Sequence, residues 1–578
     1  MEKQSLKRMI DIAAGRVPAD LCLRCCRVVD VFNQTVFEAD VLIAEGRIAG
    51  FGAAGFPPAA ETYDAAGRYL APGFIDSHVH IESSHLSPAE FSRMVVPHGT
   101  TTVVADPHEI CNVCGLEGFD YMLKASEDIA LQVFLQLPSC VPCTPFEHAG
   151  ATLNAPELAQ RMGCQRVLGL GELMNFVGVC NADEAILDKL LVAARAQKLV
   201  DGHSPGLGGT LLDAYAASGV RTDHECTSPE ELRDRIRRGM YVLLRQGSAC
   251  HDVRKLLPGV DKGNERFCLF CTDDRQSADL IREGHIDNNL RVAVEAGLDP
   301  ISAICMATIN TATCYGLQDR GAVVPGRRAD LVLLEDLQNP QVQEVWIGGR
   351  HVASGGCYLA QDPHVAPEQV SGRMNVQNFS AERLALSLTG SRVRTIRILP
   401  GSIVTECGSA EVETDAAGCW RRDEQDIVKI AVVERHNGTG NLGLGLLEGY
   451  GLRNGAIATS VAHDSHNIIV AGDNDRDMAL AVEELIRLGG GMAIAQNGVV
   501  LDRLAHEIAG LMTDRPGEEV ARRLQELGER AHELLGVHET IDPFMTLCFM
   551  ALPVIPALKI TDLGLFDVNA FHSVPVNI

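Results

Sequence analysis

The feature that most constrains the fold is a series of eight apolar segments between residues 70 and 275 that end in polar or turn-forming residues. The segment ends are His80, Asp106, Pro138, Glu172, His203, Glu225, Arg245 and Asp273. Successive ends lie roughly 20 to 35 residues apart, which is close to the length of one strand and its following helix. Eight such units predict an α/β fold of the TIM-like (β/α)8 type, whose chemistry lies at the carboxyl ends of the strands.

The first of these segments, residues 73–80, ends in two histidines that are one residue apart, His78 and His80. Side chains at i and i+2 of a β-strand share a face, so the two imidazoles are expected to project together. Two imidazoles from one strand end form half of a transition-metal site. Since a lone His-x-His pair also occurs by chance, this interpretation depends on the other strand ends.

Later strand ends supply the side chains that would complete such a site. The full candidate set of ligands is His78, His80, Glu172, His203, His224 and Asp273. Four imidazoles and two carboxylates are enough for two metal ions that share a bridging carboxylate and a bridging hydroxide. A set of nitrogen and oxygen ligands without thiolate suits Zn, Mn or Fe. Taken singly, a histidine such as His203 or His224 is more often a structural residue held by a hydrogen bond, and a helix cap is the alternative for Glu172 and Asp273.

Length and charge restrict the class of protein. A chain of 578 residues is long enough for two or three domains. The net charge of −26 argues against nucleic acid and anionic membranes as partners. The N-terminus lacks the apolar core of a signal peptide, and no apolar run has the length of a membrane span. We therefore expect a cytoplasmic protein.

Among the 19 cysteines, the Cys-x-x-Cys pairs at 111/114, 140/143 and 268/271 raise the alternative of a zinc ribbon or a redox centre. Cys268 and Cys271 lie in a predicted strand, where residues three apart point to opposite faces and do not bind one metal together. In a reducing compartment such thiols are mostly small apolar core residues. We expect a structural role for all three pairs.

The pattern of short segments predicts three parts. Residues 1–69 alternate short β-like runs with turns, and together with residues from about 322 to 370 they predict a composite small β-domain. Residues 70–321 form the predicted barrel, and residues 371–578 a C-terminal α+β domain. Within this last part, Asn497 and Gly498 predict a hairpin. Asn474 or Asp475 is expected to cap a helix that ends at Leu488 before three glycines.

Seven short motifs carry a resemblance to a known family. They are HVHIESS at 78–84, DPHE at 106–109, GELMN at 171–175, CTDDR at 271–275, GHID at 284–287, MAT at 306–308 and VAHDSHN at 461–467. Together they resemble the adenine deaminase family of the amidohydrolase superfamily, over nearly the whole chain. Dihydroorotase- and hydantoinase-like amidohydrolases place a carboxylated lysine where Glu172 stands here, and no lysine lies between Lys124 and Lys189. One departure is Gln276, because a histidine usually follows the Asp-Asp-Arg motif in the family.

The resemblance implies a metal-dependent hydrolase that converts the small purine base adenine to hypoxanthine and ammonia for purine salvage. It favours Mn or Fe over Zn in a binuclear divalent centre, and a homodimer or higher homo-oligomer. Asp273 is then the expected base that moves a proton from the nucleophile to the departing amine. Glu225 and Glu109 are alternative acids for the ring nitrogen N1. The expected substrate contacts are His108, Asp106, Arg245, Ser248 and Asp274, with an ordinary surface loop as the alternative.

Two other functions remain open from the sequence alone. One is a related amidohydrolase that deaminates or hydrolyses another nitrogen heterocycle, and the other is a non-catalytic assembly protein on the same fold. The polar turn at 463–467 also has two interpretations. It either leans on the barrel as a lid, with His463 and His466 toward the active site, or it only closes a turn by bonding to its own backbone.

Overall fold

The computed structural model describes residues 2–578, and short parallel strands form its centre. Six of them make one sheet, in the order Leu199–Gly202, Val167–Leu173, Gln132–Leu137, Thr100–Ala105, Phe74–His80 and Asp273–Asp274. Three more make a second sheet, in the order Thr222–Asp223, Tyr241–Arg245 and Cys268–Cys271. Every neighbouring pair in both sheets is parallel.

The two parallel sheets meet at both edges. At one edge the chain runs directly from strand Cys268–Cys271 into strand Asp273–Asp274, which pairs with Val79 and His80. At the other edge the backbone N–H of Arg221 donates to the carbonyl of Val200 over 3.0 Å. Each of the eight predicted segments therefore contains a strand, and their carboxyl ends face the same side.

Helices connect these strands and cover them from outside. They are Pro88–Val95, His108–Cys114, Leu116–Ala125, Ala155–Met162, Phe176–Cys180, Glu184–Arg195, Gly209–Ala217, Pro229–Arg237, Val253–Leu256, Ser277–Glu283, Ile286–Glu295, Pro300–Met306 and Ile309–Cys314. Short polar side chains begin several of them. Asp183, for example, accepts the backbone N–H groups of Ala185 and Ile186, which the first turn of a helix otherwise leaves without a partner.

A further sheet, separate from the two parallel ones, joins the two ends of the parallel region. Its nine strands are Leu21–Asp30, Thr35–Ala44, Arg47–Phe51, Glu61–Asp64, Tyr69–Pro72, Leu331–Leu334, Val342–Ile347, Arg350–Ser354 and Cys357–Tyr358. Tyr69–Pro72 is the junction, because it pairs with both Leu21–Asp30 and Leu331–Leu334. The first helix, Lys3–Ala13, buries Met9 and Ile12. Strands that are far apart in sequence thus share one sheet.

The last part of the chain is built on an eight-stranded sheet. Its strands are Thr405–Glu411, Arg392–Ile398, Leu442–Glu448, Ile427–Val433, Ile468–Gly472, Ala456–Thr459, Gly491–Gln496 and Val499–Ala505. Three helices, Asp475–Leu488, Gly517–Leu535 and Pro543–Cys548, accompany it. Two small sheets complete this part, one of Glu413–Thr414 and Trp420–Arg421, the other of Leu558–Thr561, Gly564–Asp567 and His572–Ser573.

Local predictions for this part are confirmed. Asn474 caps the helix Asp475–Leu488 by accepting the backbone N–H of Asp477, and Gly489 ends it with φ of 81°. Asn497 and Gly498 form the tip of an antiparallel hairpin, both with positive φ.

This last part lies against the carboxyl-end side of the parallel strands. Ser87, which follows the first of those strands, donates its backbone N–H to the carbonyl of Thr513 over 3.0 Å. Gly517 donates its backbone N–H to Glu90 over 2.9 Å. None of the helices in residues 2–578 combines the length and apolar character needed to cross a membrane. All 19 cysteines are free thiols.

Candidate metal centre and active site

His78 and His80 project together from the end of their strand, and their Nε2 atoms lie 3.2 Å apart. Both face the same two carboxylates. His80 Nε2 lies 3.2 Å from Oε1 of Glu172 and 3.1 Å from Oδ1 of Asp273, and His78 Nε2 lies 3.6 Å from the same Asp273 atom. All four side chains are buried. The strand ends therefore bring two imidazoles and two carboxylates to one point.

A second group of side chains shares Glu172. His203 Nδ1 lies 2.8 Å from its Oε2 atom, and His224 Nε2 lies 3.3 Å from the same atom. Burial raises the pKa of Glu172, but the surrounding imidazoles of His203, His224 and His80 hold it well below its usual range. Glu172 is thus an ionised carboxylate with one oxygen toward each pair of histidines.

The donor set fits a divalent metal centre. His80 Nδ1 lies 2.9 Å from the carbonyl oxygen of Asp106, which only accepts hydrogen bonds, so Nδ1 carries the proton. In the neutral ring the lone pair of Nε2 then points at two carboxylate oxygens, and a cation between them would satisfy all three. Metal–ligand distances of about 2.0–2.2 Å would separate neighbouring ligand atoms by about 3.0–3.5 Å, close to the observed spacings.

Asp273 and Glu225 are joined by a guanidinium group. Arg245 donates to Oδ2 of Asp273 over 3.1 Å and to Oε2 of Glu225 over 3.2 Å. It makes a further, shorter hydrogen bond to the other oxygen of Glu225 and contacts Asp252 behind it. Asp273 also has φ of 60°, a conformation that is uncommon for a residue other than glycine and that clusters at functional sites. Oδ1 of Asp273 faces the histidines, while Arg245 holds Oδ2.

A cavity opens beside this cluster. Its polar wall comes from the strand ends and their loops. The polar lining residues are His80, His108, Glu109, Glu172, His203, His224, Glu225, Arg245, Asp273, Asp274, His463 and Asp464. The apolar wall consists of Met174, Ala249, Cys250, Ile403, Phe549, Leu552 and Ile555. Such a concave site, polar on one wall and apolar on the other, suits a small ligand that has both polar atoms and an apolar face.

The five predicted substrate contacts divide into two sets. His108, Arg245 and Asp274 line the cavity. Asp106 does not, because it is fully buried beneath it and accepts the backbone N–H of Glu172 over 2.8 Å. Ser248 lies in the next pocket and bonds to Asp279 and to the backbone N–H of Gln276. Asp106 therefore orients Glu172, and Ser248 holds a loop outside the cavity.

Glu109 receives two histidines from the last part of the chain. His463 Nδ1 lies 2.7 Å from its Oε1 atom, and His466 Nε2 makes a shorter contact with its Oε2 atom. On its other side, His108 Nε2 lies 3.4 Å from Oε1. Burial raises the pKa of Glu109, but His463 and His466 hold it well below its usual range. The turn at 463–467 thus reaches the cavity, and it also bonds to its own backbone, from His466 to Ala462.

Sequence reasoning missed the apolar wall. Ile403, Phe549, Leu552 and Ile555 lie in short apolar runs that resemble ordinary core segments, and they are more than 120 positions from the last strand-end ligand. It also missed that Arg245 links Asp273 to Glu225. The position of Arg245 at a strand end was the sequence signal that could have indicated this link. No sequence signal placed the apolar residues at the cavity.

Comparisons with known proteins agree with this arrangement. Residues 69–352 match the model of the amidohydrolase family, and residues 402–572 match that of the adenine deaminase C-terminal domain. The chain is 53% identical over 573 residues to "Adenine deaminase" of Nitratidesulfovibrio vulgaris strain DP4, covering 99% of each chain. It is 51% identical over 572 residues to "Adenine deaminase 2" of Desulfotalea psychrophila, again covering 99% of each. The chain therefore belongs to the adenine deaminase family of amidohydrolases.

Proposed function

We propose that this protein catalyses the hydrolytic deamination of adenine to hypoxanthine and ammonia, as a step of purine salvage. The observation that carries the proposal is the cluster of four imidazoles with the carboxylates of Glu172 and Asp273, open to one cavity. The 53% sequence identity of this chain to an adenine deaminase, over 573 residues, supports adenine as the substrate.

The proposed cofactor is a pair of divalent metal ions. His78, His80, Glu172 and Asp273 would hold one ion, and Glu172, His203 and His224 the other, with Glu172 shared. When bound, such ions lower the pKa of water and polarise the electrophile, so that hydrolysis proceeds at neutral pH. The all-nitrogen and oxygen donor set is compatible with Mn, Fe or Zn, and we propose Mn or Fe from the family resemblance.

Asp273 is the proposed base. Burial would raise its pKa, but the imidazoles of His78 and His80 and the guanidinium of Arg245 hold that pKa well below the usual range, so the carboxylate is ionised. It would take one proton from the attacking water and pass it to the departing amine, which leaves as ammonia. Arg245 holds Asp273 and Glu225 together and fixes the direction of the accepting oxygen. Glu225 thereby keeps its carboxylate at the cavity wall.

His108, Arg245 and Asp274 are the proposed substrate contacts, since all three line the cavity. For Asp106 we propose a positioning role, because its carboxylate accepts the backbone N–H of Glu172 and its carbonyl oxygen lies 2.9 Å from Nδ1 of His80. Ser248 would act one step further out, through its bonds to Asp279 and Gln276.

We also propose a three-part organisation. Residues 70–321 would form a complete (β/α)8 barrel, which the hydrogen bond at one sheet edge and the chain continuity at the other support. Residues 1–69 with 322–370 would form the small β-domain, and residues 371–578 the C-terminal α+β domain. We also propose that the protein is cytoplasmic and forms a homodimer or a higher homo-oligomer. The net charge of −26 argues against nucleic acid and anionic membranes as partners.

The proposal is tested by ammonia release from a panel of purines and one pyrimidine, with and without a chelator. We expect release from adenine that exceeds release from guanine, adenosine and cytosine, and that is lost on chelation. Chelator-resistant release would contradict the metal assignment. Release from another heterocycle alone would favour a different amidohydrolase activity.

A further inference from the structure

The turn at 463–467 brings a histidine to the same cavity that the ligand cluster lines. His463 lines the cavity and stacks on the ring of Phe549, with centroids 4.6 Å apart and an interplanar angle of 19°. Its backbone N–H donates to the carbonyl of Cys548 over 3.2 Å. Backbone, ring face and Nδ1 are therefore all held, which gives this imidazole a fixed direction.

One backbone contact determines which ring nitrogen of His466, the histidine beside Glu109, carries the proton. The N–H of Ala462 donates to Nδ1 of His466 over 3.1 Å, so Nδ1 carries a lone pair. The ring proton of His466 then sits on Nε2, which donates to Glu109. A nitrogen that carries a proton does not ligate a metal. Although Glu109, His463 and His466 converge closely enough to suggest a third metal site, this contact argues against one.

With one oxygen of Glu109 satisfied by His466, the other accepts from Nδ1 of His463. Burial alone would lower the pKa of His463, but the Glu109 carboxylate raises it to about 9. Near neutral pH both ring nitrogens then carry protons. Within residues 2–578, Nε2 of His463 has no hydrogen-bond partner, so its N–H is available to a ligand in the cavity.

The reaction needs such a donor. As the C6–O bond forms, an electron pair moves onto a ring nitrogen of the purine, which has to gain a proton. The two carboxylates considered for this step have both oxygens engaged by N–H donors: Glu225 by Arg245, and Glu109 by His463 and His466. Neither has a proton to give, whereas the imidazolium of His463 has one.

We propose that His463 is a catalytic acid supplied by the last part of the chain, that its Nε2–H protonates the purine ring nitrogen, and that Glu109 is its positioning residue. The inference rests on the proposed deamination. The C6–N bond then breaks with its electron pair on the departing amine, which takes a proton through Asp273. The water consumed provides both protons, because the second one restores His463. Its oxygen becomes the carbonyl of hypoxanthine.

Two substitutions of His463 separate proton donation from simple contact. His463→Asn retains an N–H group near the position of Nδ1, so the bond to Glu109 can persist, but it removes the donor from the cavity. His463→Gln retains an N–H group near the position of Nε2, but it has no transferable proton. We expect kcat to fall by about 100-fold or more in both, the usual scale of acid–base catalysis, with unchanged metal content.

The matched control is His436→Asn. His436 Nε2 lies 2.7 Å from the carbonyl of Ser465, so it supports the same turn from outside the cavity. We expect kcat within about threefold of the unchanged protein and a similar melting temperature to the His463 variants. An equal loss of kcat in this control would mean that the turn, and not the imidazole, matters.

Glu109→Gln tests the positioning role through pH dependence. Removing the carboxylate that raises the pKa of His463 should move the alkaline limb of kcat/KM to lower pH. The other charged groups that face His463, namely Asp274, Asp464, His466 and His85, are unchanged in this variant. An alkaline limb that stays in place would overturn the role of Glu109.

The outcomes separate the two proposals. If the unchanged protein releases no ammonia from adenine, the proposed function fails and this inference fails with it. If the unchanged protein is active and His463→Asn retains kcat within about fivefold, only the catalytic role of His463 is refuted. If His463→Gln restores kcat while His463→Asn does not, His463 is a substrate contact and the proton comes from another group.

Discussion

Replacing Asp273 by asparagine is the most direct test of the proposed base. Asp273 makes contacts on both oxygens: Oδ1 lies 3.1 Å from His80 Nε2, and Oδ2 accepts from Arg245 over 3.1 Å. An asparagine has only one acceptor oxygen. If its amide nitrogen takes the Oδ2 position, two N–H donors face each other at Arg245. If the amide nitrogen takes the Oδ1 position instead, the metal cluster loses a lone pair.

The expected loss follows from these contacts. Loss of a general base lowers turnover by about 10² to 10⁴, which corresponds to about 3 to 5 kcal/mol in the barrier. A buried donor without an acceptor costs about 1 to 3 kcal/mol more, and this second cost falls on stability or on metal affinity. We therefore expect kcat at least 100-fold lower, together with a lower melting temperature or reduced metal content.

The assay is steady-state ammonia release, combined with metal analysis and thermal denaturation of the same preparations. Asp287→Asn is the control, because Asp287 is also a buried aspartate but contacts Arg291 and the backbone of His285 and lies outside the cavity lining. It should lose stability and keep kcat. An Asp273→Asn protein with full metal content and kcat within tenfold of the unchanged protein would refute the assignment and make Glu225 the next candidate.

Other predictions concern the metal, the polar turn and a buried lysine. His80→Ala should lower metal content from up to about two ions per chain and abolish turnover with the fold retained, as measured by elemental analysis and circular dichroism; full occupancy with normal activity would contradict the ligand set. After chelation, Mn or Fe should restore ammonia release better than Zn. His466→Ala should lower kcat/KM without a matching loss of thermal stability. Burial lowers the pKa of Lys559 from 10.5 to about 7. Between these pH values the unfolded chain binds more protons than the folded one, so the free energy of unfolding should rise with pH by about 5 kcal/mol. In urea denaturation, Lys559→Met should remove this pH dependence.

The strands and the ligand cluster were predictable because their signals are local. An apolar run followed by a polar residue marks a strand end, and parallel strands place their carboxyl ends on one side. His78 and His80 are fixed on one face by the period of two alone. The caps at Asn474 and Gly489 depend on neighbours within a few residues, so they could also be predicted.

Contacts between the parts of the chain were only partly predictable. The polar turn could be expected at one end of its sheet, where it meets a cleft or solvent, but no periodic signal joins His463 to Glu109 across 354 positions. Nor does the sequence indicate that both oxygens of Glu109 accept hydrogen bonds from histidines, which leaves Glu109 without a proton to donate to the purine. That conclusion requires the tautomer of His466, and the tautomer depends on a backbone N–H in three dimensions.

The position of Lys559 explains what the last part of the chain adds to a cluster that the strand ends already complete. Its ammonium group is fully buried and, among the described residues, forms no ion pair with a carboxylate; it donates instead to the carbonyls of Ile403 and Phe549. Both of those residues form the apolar wall of the cavity. An ammonium group without a counterion is costly to bury, and here its two hydrogen bonds tie the backbones of Ile403 and Phe549 together behind the wall. A fixed apolar wall excludes water and strengthens every charge interaction inside, including that between Glu109 and His463. The last part of the chain thus contributes both the acid and the low-polarity surroundings in which that acid acts.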